Sequence, residues 1–380
     1  MRVLLINYEY PPVGGGAGNA TAFMARSLAE LGHSPVVLTA AYGSEPARST
    51  SNGVTVVRVA ARRARPDRSS MFEMATYVAA AALALPRLLR LERPHAAIVF
   101  FSMPCGPLGL LAQWWSGLPY VVSLRGGDVP GTESSLGIVY SLLSPFRRLV
   151  LRKSVAVIAN SEGLKALSER VDPISVQVIP NGVDTCYFRP GASNSARPFT
   201  FLFVGRFQSQ KNLDFLLEAV SRLRQVVAVQ FRMVFVGDGP LRNELQRRSI
   251  ALGIADVVTW HGWCSKEQLL AHYQSSDCFL NPSLYEGMPN AVLEAMACGL
   301  PVLASNVPGN NAVVTHGETG LLFRLDDLAL LVADMQRVLI DQSLSSRMGN
   351  NGRTKVAADY SWNSVALSYV SLLPGVKVAK

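Results

Sequence analysis

Short apolar runs of strand length alternate with helix-period stretches along the whole chain, and past its midpoint the series starts afresh. The first series reads RVLLINY, PVVLT, VTVVRV, AAIVFF, PYVVSL, VAVIAN and VQVIP, with helical stretches over 19–31, 71–91, 106–116, 135–151 and 161–170. The second reads FTFLFVG, RMVFVG, VVTWHG, CFLNPS, PVLAS and TGLLF, with helices near 212–224, 240–252, 266–275, 290–298, 326–341 and 361–373. Such alternation is the pattern of parallel sheets covered by helices. Between the series lies NGVDTCYFRPGASNSARP, whose Asn, Gly, Ser and Pro content reads as a linker. The expected class is therefore α/β, with two Rossmann-like, doubly wound domains. In such sheets ligands bind at the carboxyl ends of the strands.

Composition bounds the rest. A chain of 380 residues with 49% hydrophobic and 17% charged residues can bury two large cores. Five scattered cysteines, an odd number, argue against a disulfide framework and for a reducing compartment. The apolar run Val3–Ile6 after Met1-Arg2 is too short for a signal-peptide core, so a cytoplasmic location is expected. Between Arg93 and Arg125 lie 31 residues without Asp, Glu, Lys or Arg. Pro104, Gly106, Pro107, Gly117 and Pro119 punctuate them, so strand, helix and strand fit better than a membrane span.

The net charge of +9 is uneven: residues 1–190 carry 19 Lys+Arg against 12 Asp+Glu. Arg62, Arg63 and Arg65 form one cluster, and Arg147, Arg148, Arg152 and Lys153 another. The second closes the apolar segment 136–153, which suits either contact with an anionic membrane surface or an ordinary helix with a solvated basic face. The basic residues lack interleaved aromatics and any nucleic-acid module, so nucleic acid is not an expected partner.

Four motifs sit at strand ends. Gly14, Gly15, Gly16 and Gly18 follow the first strand, where glycine lets backbone approach a phosphate or sugar and the next helix N-terminus favours an anion. The loop departs from the dinucleotide fingerprint because Asn19 takes the last glycine position and no acidic residue closes the second strand. In GRFQSQKN, Arg206 and Lys211 lie five apart and can hold both phosphates of a leaving diphosphate. In VGDGP, Gly237 makes a turn that could line a base or ribose, with Asp238 a candidate helix cap. The longest motif, PSLYEGMPNAVLEAMACGLPV, places Glu286 in a loop and Glu294 in the first turns of a helix. Carboxylates and loop N–H groups together suit a polyol and its phosphate, whereas dipole stabilisation of Glu294 and solvent exposure of Glu286 would explain them structurally.

The order GRFQSQKN, VGDGP, EGMPNAVLEAMACGLPV and GETGLLF resembles the retaining glycosyltransferases of family four, of GT-B architecture. The likeness covers almost the whole chain, including VIPNGVDTCYF and the closing DYSWNSVALSYVSLL. It implies two Rossmann-like domains facing a central cleft: an acceptor-binding domain over 1–182, joined by a terminal helix from 361–380 that crosses back, and a nucleotide-sugar domain over 183–360. Arg206 and Lys211 would hold the donor diphosphate. Glu286 would contact the sugar, with the N–H groups of Gly287, Met288 and Asn290 nearby. Glu294 would bind the ribose, the backbone at Gly262-Trp263 the base, and Gly15-Gly16 a phosphate or the acceptor. The donor would be a UDP- or GDP-sugar, the acceptor lipid-linked or a saccharide, with no metal or other cofactor.

Two positions depart from the family. Arg125, in SLRGGD, stands where many relatives carry a histidine; an arginine cannot serve as a base near neutral pH but, as a candidate catalytic residue, could stabilise phosphate or bind an acidic acceptor. Asp128 matches and is an expected acceptor contact. Ala312 replaces a glutamate common in relatives. Competing readings are a sugar-nucleotide epimerase of the same fold, a catalytically altered donor-binding protein, and a zinc site from His261, Cys264, His272 and Cys278, whose spacing fits no common finger.

Overall fold

The computed structural model describes residues 1–63, 69–130, 137–191 and 197–374, and for 137–142 the backbone alone. The first series forms β1 (Arg2–Ile6), α1 (Gly16–Glu30), β2 (Ser34–Ala40), β3 (Arg48–Ser51), β4 (Val54–Val59), α2 (Met71–Glu92), β5 (Ala96–Phe100), α3 (Gly106–Ser116), β6 (Tyr120–Ser123), α4 (Gly137–Lys153), β7 (Ala156–Ala159), α5 (Glu162–Val171) and β8 (Val176–Val178). The second forms β9 (Phe199–Val204), α6 (Leu213–Val226), β10 (Phe231–Val236), α7 (Arg242–Ala251), β11 (Val258–His261), α8 (Lys266–Gln274), β12 (Cys278–Asn281), α9 (Asn290–Ala297), β13 (Val302–Ser305), α10 (Pro308–Val313), β14 (Gly320–Phe323), α11 (Leu328–Ile340) and α12 (Gln342–Asp359). α13 (Trp362–Ser371) ends the described helices.

The chain divides into two compact units, Met1–Gly182 with the chain from Trp362 onward, and Val183–Ser361. In the first, strands lie in the order β3-β4-β2-β1-β5-β6-β7-β8; in the second, β11-β10-β9-β12-β13-β14. Every described pairing is parallel except β3 with β4. The central strands are buried on both faces, as Val3–Ile6 and Ala96–Phe100 show, which is why they read as unbroken apolar runs. Each sheet reverses its direction of winding once, between β1 and β5 and between β9 and β12. Those reversals open a crevice at the carboxyl ends of the four strands.

α13 belongs to the first unit. Trp362 stacks on Phe23 of α1 with ring centroids 5.5 Å apart, and the Tyr369 hydroxyl lies 2.7 Å from Ser123 Oγ at the end of β6. The uncharged stretch before Arg125 folds as β5, α3 and β6. One helix among the described residues, α2, is long and apolar enough to cross a membrane. Its inner face, with Tyr77, Ala81, Leu85 and Leu88, packs in the core of the first unit.

The structure corrects several expectations. The first part of the expected linker packs as structure of the second unit: Val183 N–H donates to Tyr360 O at 2.8 Å, and Phe188 is buried edge-on against Tyr273. Residues 192–196 of that segment lie outside the described residues. β3, α10 and α12 were not expected. Of the basic cluster in segment 136–153, Arg147 is buried in an ion pair with Asp172, and Arg148 reaches the same carboxylate at 2.6 Å. One of the four cations is thus buried and a second, Arg148, is exposed but paired; the side chains of 136–142, and Arg65 of the other cluster, lie outside the described residues.

Candidate functional site

The loop after β9 carries the two expected cations, and its shape is set by a buried ring. Phe207 is fully buried among Phe203, Phe235 and Trp260, which pins the loop and turns Arg206 outward. The loop after β10 lies back to back with it. Gly205 N–H donates to Val236 O at 3.0 Å and Phe207 N–H to Asp238 O at 2.9 Å. This close approach requires glycine at 237, where φ is +133° and a Cβ would stand 2.0 Å from Gly205 O. Gly237 thus serves loop-to-loop packing. Asp238 does not cap α7, which starts after Leu241; its carboxylate accepts from Gly239 N–H at 2.7 Å and from Arg242 at 3.3 Å.

The exposed Arg206 guanidinium makes no hydrogen bond or ion pair with any described residue. With Asp238, Gly239, Pro240 and the exposed ring of Trp263 it lines a cavity of about 360 Å³. A free guanidinium beside an exposed indole offers a charge for phosphate and a flat face for a base.

A short 3-10 turn, Ser209–Lys211, brings Lys211 to the loop after β12. Gln210 clips the two loops together: its Nε2 donates to Tyr285 O and its carbonyl accepts from Leu284 N–H, both at 2.8 Å. Lys211 Nζ consequently lies 2.6 Å from Glu286 Oε1, their side chains 18% and 7% exposed. Glu286 is therefore not the solvated loop carboxylate of the structural alternative. Beneath it runs a buried amide chain. Asn281 Nδ2 lies 3.4 Å from Glu286 Oε1 and 2.9 Å from Asn310 Oδ1, and Asn310 Nδ2 donates to Ser305 O at 3.0 Å. Gly309 makes room, since a Cβ there would sit 2.5 Å from Glu286 O. Sequence reasoning missed Gln210, Asn281 and Asn310 as site residues. The available signal was Asn281, a polar residue closing the apolar strand CFLN.

Past Glu286 the chain enters α9 through Pro289, with no side-chain cap. Asn290 N–H is held by Met288 O at 3.0 Å, while the N–H groups of Gly287 and Met288 donate to no described residue. Glu294, on the second turn, accepts a hydrogen bond from the Tyr273 hydroxyl at 2.9 Å. Burial pushes its carboxyl up to about 7, against the pull of Tyr273 and the Lys266 charge. Because the folded value lies above the usual carboxylate range, the group binds its proton more tightly in the native state. Its stabilising contribution is full below about pH 4.3 and is lost as pH rises through 7. Melting curves from pH 5 to 8 are expected to fall more for the native protein than for Glu294→Gln; parallel curves would contradict the assignment.

In the first unit, α1 begins at the glycine loop with no side-chain cap and no acidic residue in its first turn. Gly14 and Gly18 are crowded, by Glu9 and by Val13 O, whereas a Cβ at exposed Gly15 or Gly16 would meet open space. Local packing thus leaves the choice of glycine at 15 and 16 unexplained, and their backbone is open to a ligand. Arg125 stacks over Phe100, 4.8 Å from the ring centroid, and donates to Asn181 Oδ1 at 2.6 Å. Asp128 is buried and both its oxygens are engaged, by Ser102 N–H at 2.6 Å and Arg125 N–H at 2.9 Å. Asp128 thereby holds the loops after β5 and β6 together.

The four-residue zinc set is not assembled. The His261 and His272 rings approach to 4.5 Å, but Cys278 is buried in β12 with its thiol pushed up by burial. No group of three or more metal-ligating side chains occurs among the described residues.

Two Rossmann-like units, one with cations and carboxylates gathered at the carboxyl ends of β9 and β12, define the GT-B class. Residues 15–182 match the glycosyl transferase 4-like domain, and residues 189–355 match the glycosyl transferases group 1. UDP-Gal:alpha-D-GlcNAc-diphosphoundecaprenol alpha-1,3-galactosyltransferase of Escherichia coli is 30% identical over 288 residues, 72% of this chain and 73% of that protein. GDP-mannose-dependent alpha-(1-6)-phosphatidylinositol monomannoside mannosyltransferase of Mycobacterium tuberculosis is 28% identical over the full length of both chains. Among solved structures, sucrose-phosphate synthase from Thermosynechococcus elongatus matches with a TM-score of 0.72 at 24% identity, covering 98% of each chain. This chain belongs to the group 1, family-four type of glycosyltransferases, which use nucleotide-sugar donors.

Proposed function

We propose that the protein transfers a hexosyl or N-acetylhexosaminyl unit from a UDP- or GDP-sugar to a lipid-linked or saccharide acceptor, with retention of anomeric configuration. The setting we propose is cell-envelope polysaccharide synthesis at the cytoplasmic side of the membrane. The observation that carries this reading is the Lys211–Glu286 pair at 2.6 Å, with unengaged Arg206 on the same loop. Without donor, Lys211 is neutralised by a carboxylate. A donor diphosphate offers the ammonium a stronger partner, and Glu286, released, accepts from sugar hydroxyls. Arg206 and Lys211 then face the charge that builds on the departing diphosphate, where electrostatic stabilisation is most effective. Gly287 and Met288 supply N–H donors, Glu294 takes the ribose and Trp263 the base. The second unit binds the donor and the first the acceptor, with Gly15 and Gly16 as its open backbone.

The acceptor class rests on the relatives: the Escherichia coli enzyme is named for a diphosphoundecaprenol-linked sugar and the Mycobacterium tuberculosis enzyme for a phosphatidylinositol monomannoside. A panel of nucleotides and nucleotide sugars in a thermal-shift assay identifies the donor, since a ligand at 100 times its Kd adds about 2.7 kcal/mol. Incubation of that donor with candidate acceptors, followed by NMR of the anomeric proton, tests the chemistry. An axial donor linkage giving an axial product is expected. An equatorial product overturns retention, and acceptor-independent release of a rearranged sugar identifies an epimerase.

A further inference from the structure

We propose that the outer face built by α2, α3 and the last turn of α4 docks the protein onto an anionic lipid bilayer. Right-handed crossovers place α2, α3 and α4 on the same face of the first sheet, α2 packing on α3 and α3 on α4. On α2 the exposed positions Phe72, Ala75, Ala79 and Leu83 follow one another at helical spacing, and Arg87 and Arg90 continue the same stripe. Leu83 is 85% exposed, an uncommon state for leucine at mid-helix, while the opposite side of α2 is core. On α3 the last turn presents Trp114 and Trp115, the first 61% exposed. Gln113 Nε2 donates to Lys153 O at 3.0 Å, so this turn adjoins the exposed cations Arg152 and Lys153.

The charges choose the occupant. The described side chains of α2, α3 and α4 expose no carboxylate: half-buried Glu73 closes the capping box of α2 with Ser70, and Glu92 is buried and held by Arg48 at 2.6 Å. Four exposed cations beside apolar and indole groups match lipid phosphates lying over acyl chains, with indoles at the headgroup level. A second copy meeting this face across a two-fold axis would bring the same cations against themselves. The inference rests on residues of the first unit alone and stands independently of the transferase reading.

Co-sedimentation of the full chain with phosphatidylcholine vesicles, with and without phosphatidylglycerol, tests it. Binding is expected only with the anionic lipid, weakening as salt shortens the screening length, and brominated acyl chains should quench tryptophan emission. Trp114→Ser/Trp115→Ser is expected to lose binding about tenfold or more and most of the quenching. Arg87→Glu/Arg90→Glu should lose a similar factor at low salt. Ile250→Ser, an exposed apolar site in the second unit, should bind as the native protein does. Circular dichroism and an unchanged nucleotide-induced melting shift establish that the variants are folded. No pelleting at low salt, or equal pelleting of the tryptophan variant, overturns the proposal. So does a concentration-dependent dimer that this variant abolishes while vesicles are ignored, which would assign the face to a second copy.

Discussion

Lys211→Ala is expected to abolish stabilisation by nucleoside diphosphates and to slow sugar transfer roughly 10²–10³-fold. Among the described residues the ammonium is the one charged partner of a carboxylate that is only 7% exposed. Its removal also leaves Glu286 with the distant Asn281 amide alone, which costs about 1–3 kcal/mol in the ligand-free protein. Two effects must therefore be separated. In the double variant Lys211→Ala/Glu286→Gln the orphaned charge is gone, so the melting midpoint should recover while the nucleotide response stays absent. Glu286→Gln alone frees Lys211 and should keep or tighten nucleoside diphosphate binding while transfer is lost. A nucleotide-induced shift that survives in Lys211→Ala would remove the diphosphate role from this residue.

Gly237→Ala should unseat the same site from beneath. The substitution meets a φ of +133° and a Cβ position 2.0 Å from the Gly205 carbonyl oxygen, a backbone atom that no rotamer can move aside. Strain and overlap together cost on the order of 3 kcal/mol. Relief by separating the loops after β9 and β10 would displace Arg206 from Trp263. Chemical denaturation is expected to show the loss of stability, and titration with the donor nucleotide a loss of affinity with it. Gly15→Ala is the contrast: its Cβ meets open space, so the fold should be unchanged and any loss of activity reports crowding of a ligand. Native-like stability in Gly237→Ala would mean that the two loops can part freely, and the close packing would not matter.

The elements missed by sequence reasoning share a physical cause. β3 reads RSTS because it is an edge strand with one neighbour and little to bury. Its signal lay next to it, since Asn52 and Gly53 adopt φ values of 48° and 77° in a two-residue hairpin turn, the conformation that Asn-Gly favours. α12 carries Gly349, Gly352 and a pair of asparagines, which read as a helix breaker. Gly349 is there because a Cβ would lie 1.9 Å from Gly299 O, on the turn after α9. That requirement belongs to a partner 50 residues away and leaves no local trace. Arg147 likewise reads as surface charge until Asp172, on the next connection, is seen to face it.

What the sequence determined by itself was everything carried by period and by strand-end loops. Strands buried on both faces must be apolar throughout, so two doubly wound sheets could be read, and ligand loops must follow their strands, so Arg206, Lys211, Glu286 and Glu294 could be named as candidates. Tertiary structure alone decided which of those groups are charged partners, which are free and which are spent on the fold. Lys211 meets Glu286 because β9 and β12 are neighbours in the sheet and Gln210 clips their loops. The Arg206 guanidinium meets no described partner because Phe207 is drawn into the core, and each oxygen of buried Asp128 accepts from a backbone N–H. The energy of a polar group depends on its burial and on partners far along the chain, and neither quantity is local to the sequence.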